Sequence, residues 1–181
     1  MAGQETERVY DELLVTLARS GDARAANRLA ARWYPRLMRT ALRLLRDRTE
    51  AEEAVQEAWA GICRGWPRLS DSAMFPGWAF GILRRKCSDR IRAAQTARTR
   101  SAPMEVAPEP IEPARGELQV EIDQALASLS DDHRLAAILF FGEGLSLNEI
   151  AAVTGVPVGT AKSRIFHARQ HLKSRLKGEN Q

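Results

Sequence analysis

The stretch LSLNEIAAVTGVPVGTAKSRIFHARQHLKSRLK, residues 145–177, predicts two helices joined by a tight turn. Ser146 and Glu149 have the spacing of a capping box, in which each side chain accepts a hydrogen bond from the other residue's backbone, so a short helix is expected to begin here. Gly155 can adopt the left-handed conformation that ends this helix, and Pro157 suits the first turn of the next one. The stretch therefore predicts a helix–turn–helix unit.

The second helix of this unit is basic. Residues 156–177 contain six cations and no acid. On a helical wheel one side is an apolar stripe that predicts a buried face, comprising Ala161, Ile165, Ala168, Leu172 and Leu176. The opposite side is a narrow polar ridge, comprising Gly159, Ser163, His167, Gln170 and Ser174.

This pattern is typical of a helix that reads DNA. In helix–turn–helix proteins the N-terminal residues of the second helix meet base edges in the major groove. Thr160, Lys162, Ser163 and Arg164 stand at those positions and can donate to bases or phosphates. An ordinary amphipathic helix with a basic outer face is the alternative interpretation.

The charge of the chain is unevenly distributed. The formal net charge is only +4, but residues 84–100 contain seven cations and one acid, whereas residues 119–155 contain six acids and one cation. Two separated basic segments predict a polyanion that is contacted at two places. The alternative is that both segments are solvated helix faces.

Other classes of protein are not indicated. There is no apolar run long enough to span a membrane and no signal-peptide core near the N-terminus. Cys63 and Cys87 lack the spacing of a zinc site, and they fit a reducing cytoplasm. His167 and His171 stand four residues apart, but no third metal ligand lies nearby. No catalytic motif is present, so neither an enzyme, a metal site nor a cofactor is predicted.

The organisation of the chain predicts two all-α domains. Residues 97–118 hold four of the eight prolines and are interpreted as a flexible linker. Before this linker, apolar residues recur at helical spacing, and strand-like alternation is absent. The predicted stripes are Val9, Leu13, Leu14 and Leu17; Leu29, Trp33, Leu37, Ala41 and Leu44; Ala51, Ala54, Val55, Ala58 and Ile62; and Trp78, Ile82 and Ile91.

One helix of the first domain has an acidic face. In TEAEEAVQEAWAGI, residues 49–62, Glu50, Glu53 and Glu57 repeat about once per helical turn. Such a face suits a basic protein partner. It equally suits intramolecular pairing with the many arginines of the domain.

Three segments together resemble the extracytoplasmic-function (ECF, group IV) RNA polymerase sigma factors of bacteria. Residues 49–62 are similar to the family's acidic D-x-E-D-x-V-Q-E helix. FPGWAFGILRRKCSDRIR, residues 75–92, is similar to its W-L-x-x-I-x-x-N-x-x-x-D-x-x-R helix. Residues 129–169 resemble its C-terminal helix–turn–helix module, and residues 159–164 are the most specific part of the match.

The resemblance implies a promoter-specificity subunit with a sigma region 2 bundle at 1–96 and a sigma region 4 domain at 119–181. Region 4 would read the −35 element, and its implied contacts are Gly159, Thr160, Lys162, Ser163, Arg164 and His167. Region 2 would hold the −10 element, and its implied contacts are Trp78, Arg84, Arg85, Lys86 and Arg92. The loop at about residues 68–77 would cradle an unstacked base.

The resemblance also implies protein partners. Glu53, Gln56 and Glu57 would dock on the clamp helices of core RNA polymerase, and the flap of the large subunits is a second implied contact. An anti-sigma factor, a stress or envelope-signal response and a cytoplasmic location are implied as well. Arg85, Val158 and His167 depart from the residues that are common in the family at their positions, which is expected to alter promoter preference.

Several alternatives remain open at the level of sequence. A stand-alone dimeric regulator would explain the helix–turn–helix but not the acidic helix. A sigma-like decoy that only binds an anti-sigma factor would leave two intact DNA-binding modules without a role. Trp66, Phe75, Trp78 and Phe80 fit either base stacking or core packing.

Overall fold

The computed structural model describes residues 2–100 and 117–178, and all regular structure in these two ranges is helical. The all-α prediction is therefore confirmed. The α-helices of the described ranges are α1 (Ala2–Arg19), α2 (Ala23–Leu45), α3 (Arg48–Gly65), α4 (Phe75–Arg100), α5 (Glu117–Ala127), α6 (Asp131–Ala137), α7 (Leu147–Thr154) and α8 (Val158–Gly178).

Helices α1 to α4 form a bundle around an aromatic centre. The Trp33 ring is fully buried and meets Phe75 edge-on at 4.8 Å between centroids, with Phe80 5.6 Å away. The stripe predicted on α3 is buried throughout, and that on α2 is buried from Leu29 to Ala41. The periodicity of the sequence thus located these two helices and their core faces, as expected for amphipathic helices.

The stripe predicted on α1 is wrong in detail. Val9, Leu13 and Leu17 are exposed, whereas Leu14, Val15 and Ala18 face the core. The reason is electrostatic, because the inner face of α1 also buries the carboxylate of Asp11, which accepts hydrogen bonds from two arginines of α2. A wheel that scores hydrophobicity alone cannot recognise a face containing a buried, paired acid.

Helix α4 also departs from its predicted stripe. Trp78, Ile82 and Ile91 are only half-buried. The core side of α4 is formed instead by Phe75, Ala79, Phe80, Leu83 and Cys87. Burial raises the pKa of the Cys87 thiol to about 12, so this cysteine behaves as an apolar core residue.

Helices α5 to α8 form the second half. Helix α6 is α-helical only to Ala137, and the chain then continues as one π-helical turn, Ile138–Gly142. Ser130 stands at the N-cap of α6, but its hydroxyl bonds to the His133 ring instead of capping the backbone.

The described helices extend into the predicted linker from both sides. Helix α4 runs through Arg100, and α5 begins at Glu117. The central part of the predicted linker, residues 101–116, lies outside the described residues. The boundaries 1–96, 97–118 and 119–181 therefore stay predictions.

The two halves pack against each other. Helix α7 lies on α4, and α5 and α6 contact α2. A single cluster of buried side chains includes Phe75 and Leu83 from the first half and Ile150 and Val153 from the second. Among the described helices, none is long and apolar enough to cross a bilayer.

Candidate nucleic-acid and polymerase interfaces

The turn between α7 and α8 has the geometry that the sequence predicts. Ser146 and Glu149 form a complete capping box at the start of α7, with 2.7 Å between the Ser146 backbone nitrogen and Oε2 of Glu149. Gly155 ends α7 with a φ of 70°, a left-handed conformation that glycine adopts without strain. These features fix the angle at which α8 leaves the turn.

Helix α8 presents its polar ridge to solvent. Ala161 and Ala168 are fully buried, and Ile165 is nearly so. The predicted −35 contacts Gly159, Thr160, Lys162, Ser163 and His167 are all exposed. Towards the C-terminal end the apolar stripe is less buried, since Leu172 is half-buried and Leu176 is exposed. The N-terminal half of α8 is therefore both rigidly seated and accessible.

Arg164 differs from the other predicted −35 contacts, because it is paired within the protein. Its guanidinium donates to the carboxylate of Asp132 in the first turn of α6, and only 21% of its side chain is exposed. This pair fixes the guanidinium at the edge of the ridge. Asp132 thus holds Arg164 in one orientation and occupies part of its hydrogen-bonding capacity.

An aromatic cluster on α8 was missed by the sequence interpretation. Phe166 is 57% exposed, and its ring lies 5.6 Å from that of His167. His167 in turn lies 6.0 Å from the ring of His133 in α6. Phe166 directly follows Ile165 and therefore lies about 100° away from the apolar stripe on a helical wheel. This position off the stripe was the available signal that the ring is exposed. An exposed aromatic ring at this position can contact a thymine methyl group.

The predicted −10 contacts of α4 lie in different surroundings. Arg85 and Arg92 are exposed, and Arg92 pairs with Asp89 on the same helix. Arg84 donates to the backbone carbonyl of Val153 in α7, 3.4 Å away. Lys86 faces α3 and pairs with Glu57 at 2.8 Å. In this conformation Arg85 and Arg92 are therefore the more accessible cations of the set.

The four aromatic residues near the −10 set divide into two groups. Phe75 and Phe80 are fully buried against Trp33, so they are core residues here. Trp66 packs edge-on against Trp59 at 6.1 Å and is half-buried.

Trp78, which belongs to the predicted −10 set, is half-buried beside Gly65. A Cβ at Gly65 would lie only 2.6 Å from the Trp78 ring. Gly65 therefore determines where this indole can lie.

The loop between α3 and α4 is ordered by two short 3-10 turns, Trp66–Arg68 and Ser72–Met74. Ser72 is buried, and its hydroxyl accepts a hydrogen bond from Thr16 of α1 at 2.9 Å. Arg68 and Met74 are exposed on the outer side of this loop. The loop is thus anchored at its centre and offers a cationic and an apolar side chain to solvent.

The acidic face of α3, defined by Glu50, Glu53, Gln56 and Glu57, is exposed and clamped by an arginine of α4. Arg90 donates to all three glutamates at 2.7–2.8 Å. Hydrogen bonds from Lys86 and Arg90 lower the pKa of Glu57, and those from the glutamates, led by Glu50, raise the pKa of Arg90. Of the two roles that the sequence left open for this face, intramolecular pairing is present in the structure.

Two family models match the two halves of the chain separately. The Sigma-70 region 2 family model matches residues 29–97, and the Sigma-70 region 4 family model matches residues 119–172. SigM, an ECF RNA polymerase sigma factor of Mycobacterium tuberculosis, is 33% identical over 97% of this chain and 88% of its own length. This chain belongs to the ECF sigma factors.

Two further curated relatives support the assignment. The RNA polymerase sigma-H factor of Pseudomonas aeruginosa is 30% identical to this sigma factor, with 92% of this chain and 93% of the relative covered. The ECF sigma-E factor of Escherichia coli is 28% identical, with 94% of this chain and 96% of the relative covered. Because the matches span both halves, this sigma factor shares the two-region organisation of promoter-specific initiation factors.

Two solved structures are similar over both regions. The sigma factor RpoE, crystallised in complex with the anti-sigma factor NepR from Bartonella quintana, matches 83% of this sigma factor and 96% of its own chain, with a TM-score of 0.69 and 28% identity. CnrH in complex with the cytosolic domain of CnrY matches 93% of this sigma factor and 98% of its own chain, with a TM-score of 0.66 and 26% identity.

Proposed function

We propose that this sigma factor positions core RNA polymerase at its promoters through three surfaces. The exposed N-terminal half of α8 reads the −35 element. Helix α4 and the loop before it hold the −10 element, and the acidic face of α3 contacts the clamp helices of the polymerase. The observation that carries the proposal is the exposure of the ridge on α8 in a chain that also contains the exposed acidic face of α3.

The residue assignments within these surfaces follow from exposure and charge. Lys162 and Ser163 lie directly on the accessible turn of α8 and can donate to bases or phosphates. Arg85 and Arg92 are the exposed cations of α4 that can pair with a single-stranded backbone. Glu53 and Gln56 project from α3 beside Glu57 and are available to a basic partner.

We also propose that an anti-sigma factor regulates this protein in a stress or envelope-signal response. The support is the similarity to the sigma chain of the RpoE–NepR complex, whose partner is an anti-sigma factor. The polymerase acts in the cytoplasm, so this is the expected location. The role proposed for the chain is binding and positioning, without catalysis of its own.

Run-off transcription with reconstituted core polymerase tests the proposal, using a promoter selected from a library. Wild-type protein should start transcripts at a defined position, which a stand-alone regulator or a decoy would not do. Lys162→Ala and Arg164→Ala should each lower −35-dependent initiation about five- to tenfold, because each removes a donor to DNA. Binding to core polymerase should be unchanged.

Lys173→Ala is the matched control, since Lys173 is an exposed cation on the same helix, about three turns further on. This variant should retain nearly full initiation. If Lys162→Ala and Arg164→Ala both keep wild-type activity on the selected promoter, the −35 assignment of α8 is wrong.

A further inference from the structure

All three histidines of the chain lie in region 4. His133 belongs to the first turn of α6, and His167 and His171 lie one turn apart on α8. The rings of His133 and His167 meet edge-on, with 6.0 Å between their centroids. This histidine pair joins the first turn of α6 to the polar ridge of α8.

The ring of His133 is held in place by Ser130. Ser130 stands at the N-cap of α6, but its side chain makes no capping hydrogen bond, and its Oγ lies 2.7 Å from Nδ1 of His133. A serine at this position ordinarily stabilises a helix by accepting a hydrogen bond from the backbone, and α6 lacks that contribution. The contact leaves Nε2 of His133 as the ring nitrogen that can bind another group.

The histidine pair is open to solvent beside the predicted −35 contacts. His167 is exposed, and His133 is half-buried. Ser163 lies one turn before His167 on the same face of α8 and is exposed as well. A duplex that follows the ridge from Ser163 therefore reaches His167 and, with it, the neighbouring ring of His133.

The charged groups nearest to the histidine pair cancel one another. Asp131 accepts a hydrogen bond from Arg134 at 3.0 Å, within α6. Asp132 accepts a hydrogen bond from Arg164 of α8. Two acids and two arginines sum to zero, so the charge of this patch depends on whether the two imidazoles carry protons.

The elements packed around α6 and α8 contribute further charges at a greater distance. Helix α8 carries the exposed cations Lys162 and Arg169. Helix α5 carries Glu121 and Asp123, both more than one turn before its C-terminal end, and Asp123 pairs with Arg43 of α2. The C-cap residue of α2, Arg46, donates to the carbonyl of Ala127 at the end of α5.

The protonation state of the pair determines how it meets a phosphate. Histidine is the side chain whose charge ordinarily changes between pH 5 and 8. Two positively charged rings in contact repel each other when no anion is present. A phosphate bound against both rings replaces this repulsion by two charge-assisted hydrogen bonds, so it favours the charged form of the pair.

We propose that His133 and His167 together bind one backbone phosphate of the −35 element in their positively charged form. The proposal rests on the promoter-binding function proposed above, and it adds α6 to the surface that contacts DNA. In the charged rings Nδ1–H of His133 donates to Ser130, while Nε2–H of His133 and one N–H of His167 donate to phosphate oxygens. DNA binding then takes up protons from the solvent, so the affinity falls as the pH rises.

The affinity for a labelled duplex that carries the −35 element tests the proposal, with holoenzyme assembled from the full chain and core polymerase. Fluorescence anisotropy between pH 6 and 8 at constant ionic strength should show wild-type affinity falling about tenfold as the pH rises. His133→Gln and His167→Gln should each bind more weakly than wild type at pH 6. Each should also reduce the change over this pH range to about threefold or less, because one ring alone makes one contact.

Two further variants separate the charge of the pair from general effects of pH. His167→Arg carries a permanent charge and should retain at pH 8 most of the affinity that wild type has at pH 6. His171→Gln is the matched control, since His171 is an exposed histidine one turn further along α8, and its Nε2 lies 2.9 Å from Oγ of Ser128. This control should keep the pH dependence of wild type.

Neutral methylphosphonates, placed in turn at each phosphate of the −35 element, identify the group that the pair contacts. At one position the substitution should remove most of the pH dependence of wild type, and it should have little further effect in His167→Gln. A pH dependence that is lost in His167→Gln but survives every methylphosphonate would assign His167 to a base and overturn the phosphate contact.

Two other results have different consequences. Equal pH dependence in wild type, His133→Gln and His167→Gln would overturn the inference and leave the proposed function intact. Holoenzyme that shows no preference for the −35 duplex at any pH would contradict the proposed function itself, and the inference with it.

Discussion

Arg8 in α1 donates hydrogen bonds to both carboxylate oxygens of Glu149, at 2.8 and 3.1 Å, although 141 positions separate the two residues in the chain. Glu149 also occupies position N3 of the capping box that begins α7, with Ser146 at the N-cap. One carboxylate therefore caps the helix–turn–helix and attaches it to the N-terminal helix. Local helix formation and the packing of the two regions depend on the same charge.

The stability of the protein should fall in acid partly because of Glu149. Burial raises the pKa of this carboxyl group, but hydrogen bonds from Arg8 and Ser146 outweigh burial and leave it below its ordinary value of 4.5. Stability from a lowered pKa is fully present above that ordinary value and is lost as the pH falls through the folded value. The free energy of unfolding should therefore decrease as the pH drops below about 4.5.

The variant Glu149→Gln distinguishes the contribution of the charge to stability from that of the helix cap. Glutamine can still occupy this capping-box position, but it lacks the charge that Arg8 needs. We expect a loss of about 1–3 kcal/mol in the free energy of unfolding at neutral pH, and a weaker dependence on acid. Denaturant titrations between pH 3 and 7 measure both, with the exposed Glu121→Gln as control. Equal acid sensitivity of Glu149→Gln and wild type would contradict this role.

Gly65 and Gly81 should respond oppositely to alanine. A Cβ at Gly65 would overlap the rigid Trp78 ring, so Gly65→Ala should lower the free energy of unfolding by about 1–3 kcal/mol. Gly81 lies inside α4 with open space where a Cβ would be added, and Gly81→Ala should raise stability by about 0.5–1 kcal/mol. Thermal unfolding of the two variants checks the contrast, and Trp fluorescence should change only in Gly65→Ala.

Arg90 should contribute more to stability than an ordinary surface arginine. Its side chain is 17% exposed and joins α4 to three glutamates of α3, whereas Arg48 pairs with Glu52 on its own helix and is 68% exposed. Arg90→Gln should lower the melting temperature by about 2–4 °C, because three like charges on one helical face lose their common partner.

Arg48→Gln is the matched control for Arg90→Gln, and its melting temperature should lie within about 1 °C of wild type. The same two proteins distinguish a structural from a binding role of the acidic face. A lower affinity of Arg90→Gln for core polymerase at unchanged stability would mean that Arg90 contacts the polymerase itself.

High ionic strength should loosen the packing of the two halves against each other. The Arg43–Asp123 and Arg8–Glu149 pairs are partly exposed and are screened as the Debye length falls from about 10 Å at 0.1 M salt to about 3 Å at 1 M. The radius of gyration of wild-type protein should therefore increase over this range. The expansion should be smaller in Arg43→Glu, which lacks one of the attractive pairs at any salt concentration.

Local sequence signals predicted the helix–turn–helix unit well. Ser146, Glu149 and Gly155 act within one or two turns of the residues they cap, so their spacing alone specifies where α7 begins and ends. The buried alanines of α8 follow from helical periodicity for the same reason. The exposure of Phe166 was not predicted, because an aromatic residue next to an apolar stripe is easily taken for part of the buried face.

The faces of α1 and α4 were predicted less well. Hydrophobic periodicity identifies a buried face only when that face is apolar, and α1 buries Asp11 while exposing Val9 and Leu13. On α4 the core side is determined by Phe75 and Phe80, which must meet Trp33 of α2. The buried face of α1 or α4 cannot be read from that helix alone, because it depends on the helix packed against it.

The helices, the capped turn, the basic face of α8 and the acidic face of α3 could be read from the sequence alone, because each depends on residues a few positions apart. Which charged side chains pair with each other depends on the packing of the helices. Arg90 clamps the acidic face, Asp132 holds Arg164, and Arg36 joins Asp11 to Glu143. Ion pairs depend on distance in space, and a folded chain brings together residues whose separation along the sequence carries no signal.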